Sequence, residues 1–124
     1  IGEGLQYLTN LQTLDLSEND IGLTADNGTQ IIGESLQYLT RLQALDLSWN
    51  KIGSQGNTGI QVIGERLQYL PQLQVLDLSK NDIGTTGAQS LFAALPQLIC
   101  HAPNLTTLNF QDNNFSYLEQ LLQI

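Results

Sequence analysis

Leu11-Gln12-Thr13-Leu14-Asp15-Leu16-Ser17-Glu18-Asn19 decides the fold, because its pattern L-x-x-L-x-L-x-x-N returns at Leu42, Leu45, Leu47 and Asn50, at Leu73, Leu76, Leu78 and Asn81, and at Leu105, Leu108, Phe110 and Asn113. The leading leucines stand at positions 11, 42, 73 and 105, steps of 31, 31 and 32 residues, and so regular a period marks a tandem array of one supersecondary unit. Inside each copy leucines alternate with polar residues, so a short strand turns Leu14 and Leu16 inward and Thr13, Asp15 and Ser17 outward. Stacked copies of that strand make a parallel sheet. Asn19, Asn50, Asn81 and Asn113 follow at a fixed offset, where a buried amide can donate and accept along the stack and satisfy the backbone at the bend. We read these four as a structural asparagine ladder.

Outward from the strand, each unit carries a helical signal. Asn27-Gly28-Thr29-Gln30, Thr58-Gly59-Ile60-Gln61 and Thr86-Gly87-Ala88-Gln89 each place Gln three positions after a capping residue, the spacing of a capping box, and predict helix starts. Apolar residues then recur four and eight positions beyond each glycine, at Ile32 and Leu36, Ile63 and Leu67, Leu91 and Leu95, one face of a helix that packs on the sheet. Ser116 and Glu119 repeat the capping spacing ahead of Leu118, Leu121 and Leu122, which predicts a last helix over Ser116 to Ile124.

The strand motif followed by Asn-x-Ile-Gly, as in Asn19-Asp20-Ile21-Gly22, and then by a glycine and a helix of spaced leucines resembles leucine-rich repeats of the ribonuclease-inhibitor-like type, over essentially the whole chain. The resemblance implies an α/β solenoid, a horseshoe with short parallel strands on its concave face and helices on its convex face. We divide the chain as one array over 1–124: the end of a preceding repeat at 1–10, repeats at 11–41, 42–72 and 73–104, and a last or partial repeat at 105–124. Ile1 to Leu8 matches Ile32 to Leu39 and Ile63 to Leu70, so a longer array is expected.

The units differ in their loops. Ile21 to Gly28 and Ile52 to Gly59 span seven positions, Ile83 to Gly87 only four, so two units carry three extra residues between strand and helix. The inserts Gly22 to Asp26 and Gly53 to Asn57 are rich in Gly, Ser, Asn and Asp, and are expected to be mobile and solvent-facing on one rim. The third unit is expected to lengthen its return loop instead, with Cys100 and His101 inside Pro96 to Asn104.

Four cationic residues face twelve carboxylates, a net charge of −8 that repels a phosphate backbone, so nucleic acid is not the expected partner. No apolar run approaches the roughly eighteen residues of a membrane span. Cys100 is the only cysteine, which forbids an intrachain disulfide and fits a reducing compartment: the cytoplasm, or, for a bacterial effector, a host cell. One Cys and one His cannot furnish a zinc site, and neither a serine nor a cysteine triad can be assembled, so neither an enzyme, a metal nor a cofactor is expected.

Stacking places equivalent outward residues about 4.8 Å apart in columns across the concave face. One column reads Asp15, Asp46, Asp77 and Asn109; its neighbours read Thr13, Ala44, Val75 and Thr107, and Ser17, Ser48, Ser79 and Gln111. Adjacent carboxylates at that spacing repel by roughly 0.8 kcal/mol in water, a cost that a basic partner relieves. Just before each ladder asparagine stand Glu18, Trp49, Lys80 and Asp112, whose chemistry changes with every unit. Trp49, the only tryptophan, is the expected anchor, flanked by Lys80, because tryptophan is enriched at binding hot spots. Tyr7, Tyr38 and Tyr69 form a further column near the helix ends, where convex packing accounts for them. These positions point to a non-catalytic protein-interaction module that docks a partner with a basic patch on its concave face and rim loops; self-association through an open repeat edge is the alternative. The family resemblance also admits GTPase activation or an effector's regulatory domain, but Arg41 and Arg66 lie in or after helices, off the strand face.

Overall fold

The computed structural model describes residues 2–23, 27–54, 56 and 58–113. Four three-residue strands, β1 (Thr13–Asp15), β2 (Ala44–Asp46), β3 (Val75–Asp77) and β4 (Thr107–Asn109), form one parallel sheet in the order β1-β2-β3-β4. The register pairs Leu14 with Leu45, Leu45 with Leu76 and Leu76 with Leu108, so the motif leucines stack as the repeat spacing requires. Helices α1 (Gly2–Leu5), α2 (Gly28–Ser35), α3 (Thr58–Arg66) and α4 (Thr85–His101) form the second layer. Packed helices need 8–10 Å each where strands need about 4.8 Å, so the sheet lies on the concave side of an α/β repeat solenoid.

The core fills the space between the layers. Leu45, Leu47, Leu76 and Leu78 from the strand motifs meet Ile32, Leu36, Ile63, Leu67 and Leu91 from the helices, all of them buried. At the two outer strands Leu14, Leu16, Leu108 and Phe110 are only half-buried. Phe110 packs edge-on against Phe92 of α4, ring centroids 6.1 Å apart.

The ladder asparagines bond backward along the array. Asn50 Oδ1 accepts the Asn19 amide at 2.9 Å, Asn81 Oδ1 accepts the Asn50 amide at 2.9 Å, and Asn113 Oδ1 accepts the Asn81 amide at 2.7 Å. Their Nδ2 groups donate to the carbonyls of Leu16, Leu47 and Leu78 one repeat earlier, and to carbonyls of their own repeat. Polar groups that would otherwise be orphaned at the bend are thereby satisfied.

Four features depart from the sequence reading. The capping boxes do not form: Asn27 precedes α2 in the left-handed region at φ 60° without a side-chain cap, Thr58 is already helical, and Gly84 rather than Thr86 precedes α4. Residues 96–101 are not a loop but the last turns of α4, with Pro96, Cys100 and His101 all exposed. Buried Ala88, Leu91, Leu98 and Ala102, with half-buried Leu95, keep one helical face running past Pro96, and that apolar period outweighs the proline. Gly22 is buried rather than solvent-facing, because a β-carbon there would strike the Lys51 carbonyl of the next repeat; one on Gly53 would strike the Asp82 carbonyl. Tyr7, Tyr38 and Tyr69 are exposed rather than packed, Tyr7 to 77%. In the single turns of 3-10 helix Leu36–Tyr38 and Leu67–Tyr69, Leu36 with Leu39 and Leu67 with Leu70 take the inward positions at i, i+3 spacing, which turns the tyrosines out. The remainder of the two inserts at 24–26, 55 and 57, and the helix expected over Ser116 to Ile124, lie outside the described residues.

Candidate partner-binding surface

The outward columns are in register. Asp15 pairs with Asp46, Asp46 with Asp77 and Asp77 with Asn109, while Thr13, Ala44, Val75 and Thr107 align beside them. The carboxylates also serve the backbone. Oδ1 of Asp15, Asp46 and Asp77 accepts the amide of the serine two residues on, at 2.9 Å in each case, together with its hydroxyl at 2.6, 2.7 and 2.7 Å. Asn109 Oδ1 does the same for the Gln111 amide at 3.1 Å. The column is therefore a row of aspartate turns that fixes the exit of each strand as well as a negative stripe. The Ser17 hydroxyl, and after it the Ser17 amide, hold the exposed Asp15 carboxyl below the ordinary aspartate range. The Asp-x-Ser spacing, repeated in three units, is the signal in the sequence that identifies the turn.

Beyond the strands the ladder continues. Glu18 donates its amide to the Ser48 carbonyl at 3.0 Å, Trp49 to Ser79 at 3.1 Å and Lys80 to Gln111 at 2.9 Å, so Glu18, Trp49, Lys80 and Asp112 stay aligned. All four have left-handed backbone, φ 61°, 59°, 57° and 58°. That conformation costs a side-chain-bearing residue about 1–2 kcal/mol. Lys80 Nζ sits over the Trp49 ring, 4.3 Å from its centroid, and Trp49 nonetheless remains 52% exposed. Glu18, Lys80 and Asp112 are exposed.

A second left-handed column, missed in the sequence, follows the ladder asparagines Asn19, Asn50 and Asn81: Asp20, Lys51 and Asp82, at φ 51°, 54° and 55°. Lys51 reaches Asp20 at 3.8 Å, both side chains well exposed, an ion pair worth at most about 1 kcal/mol. The alternation of acid and base at that offset is its sequence signature. Lys51 is paired with Asp20, whereas Lys80 keeps its charge over the neutral Trp49 ring; the aspartate column, Glu18, Asp82 and Asp112 outnumber it and give the face its negative field. Arg66 ends α3 and lies 3.7 Å from Glu65, on the helix layer. Among the described residues no three His, Cys, Asp or Glu side chains converge as metal ligands would.

The family profile of the Leucine Rich repeat matches residues 7–24, 38–60, 69–92 and 101–117. No curated protein sequence matches the chain. Among solved structures, the leiomodin-1 actin-binding site 2 is similar, with a TM-score of 0.65 at 17% identity, over 90% of this chain and 60% of that one. The likeness is one of fold, and the chain spans 60% of the length of that structure. With four matched segments that together cover more than half of its length, the chain belongs to the leucine-rich repeat family.

Proposed function

We propose that the array is a non-catalytic protein-interaction module of the ribonuclease-inhibitor-like type that docks a partner on its concave face and adjoining rim, and that the partner presents a basic patch. The observation that carries this reading is a half-exposed Trp49, steadied by Lys80, in a column whose chemistry changes with every repeat, beside a column of three aligned aspartates. Aromatic anchors supply binding energy, and complementary charge supplies encounter rate and orientation. The similar structure is named for an actin-binding site, and that supports a protein partner in general terms. Affinity capture with the parent chain and with a Trp49→Asp, Lys80→Glu double variant tests it. The variant is expected to lose the proteins that the parent captures; capture of the same proteins by both rejects the concave-face reading.

A further inference from the structure

We infer that Trp49 and Glu18 form a slot for one cationic side chain of the partner, an arginine or a lysine. This rests on the concave-face reading above and names the chemistry it uses. Three observations converge. The Trp49 ring already holds a cation, Lys80 Nζ at 4.3 Å from its centroid, so its electron-rich surface is presented in a usable geometry. More than half of the residue is still exposed. The in-register neighbour on the side away from Lys80 is Glu18, an exposed carboxylate without an ion-pair partner among the described residues, with Asp15 and Asp46 in the adjacent column.

A guanidinium entering from the partner would lie against the ring and donate to the Glu18 carboxylate. Both interactions favour a cation and disfavour a neutral isostere. Lys80, the next residue of the same row, already lies over the ring, so the array carries in its own sequence the kind of group that the slot takes from outside.

A synthetic peptide of alternating glycine and arginine, and the same peptide with citrulline at every arginine, separate charge from shape. The probes are the emission of Trp49, the only tryptophan, and amide chemical shifts across the concave face. The arginine peptide is expected to shift the Trp49 emission, the Trp49 indole N–H and the Glu18 amide, and the citrulline peptide to shift none of them. By calorimetry, Glu18→Gln and Trp49→Leu are each expected to weaken the arginine peptide about two- to fivefold. Both positions are exposed, and unchanged circular dichroism verifies the fold of each variant. Equal responses to the two peptides overturn the slot. So does an arginine peptide that shifts the amides of Asp15, Asp46 and Asp77 but not Trp49; in that case the concave-face reading stands and only the slot falls.

Discussion

The side chain of Asn81 closes five hydrogen bonds in the middle of the array, accepting from the amides of Asn50 and Ile52 and donating to the carbonyls of Leu47, Leu78 and Ser79. Asn19, exposed at the outermost strand, donates to two carbonyls of its own repeat. A buried group stripped of its partner loses more than the bond itself. Asn81→Leu is therefore expected to cost about 3–5 kcal/mol in urea unfolding, and Asn19→Leu less than half of that. Asp15 makes a second prediction at this scale. Its carboxyl is held low by the Ser17 hydroxyl and amide, so the contribution of this pair to stability is present above the ordinary aspartate pKa of about 3.9 and is lost as pH falls through the lower folded value. A carbon-detected titration should place the Asp15 midpoint below the ordinary value, and Ser17→Ala should move it back up. A midpoint unmoved by that change would show that the hydroxyl is not its cause.

At the scale of the element, α4 is the test. Proline inside a helix lacks the donor for the preceding turn, yet α4 continues from Thr85 through Pro96 to His101 because its buried face continues. Pro96→Ala is expected to stabilise the chain by about 1 kcal/mol in urea unfolding, since alanine restores a helical N–H and has the highest helix propensity. Were residues 96–101 a loop, the same change would be destabilising by about 0.4–1 kcal/mol, through greater freedom of the unfolded chain. The strands, their order and the alignment of Asp15, Asp46 and Asp77 were legible because a period of two nested in a period of 31 leaves one register. The helix starts were legible to within a residue or two, the caps were not, because Asn27 meets α2 through a left-handed backbone instead of its side chain. Pro96 hid the length of α4, because proline is read as a stop unless the apolar face beyond it is followed. The left-handed positions before the ladder asparagines, and after the first three of them, carry Trp and Lys as well as Asp and Glu, so residue preference could not reveal them.

Across the whole molecule, Gly22 and Gly53 let each repeat close on the backbone of the next, and the asparagine ladder ties the same junctions. That rigid stack presents the columns of the concave face at fixed spacing, with Trp49, Lys80, Glu18 and Asp112 in one row and Asp15, Asp46 and Asp77 in another. The tyrosines at the ends of the helices, although exposed, stand in one Leu-Gln-Tyr-Leu motif that is identical at 5–8, 36–39 and 67–70, whereas the row led by Glu18 changes from unit to unit and is where specificity is expected to reside. Docking on the strand face is tested most directly by hydrogen–deuterium exchange on the chain with a captured partner bound. New protection is expected over Ala44 to Trp49 and Val75 to Lys80, weakening as salt is raised, with α2 and α3 unchanged. Protection confined to α2, α3 and the Tyr38 and Tyr69 turns, with the strand face unaffected, would contradict it.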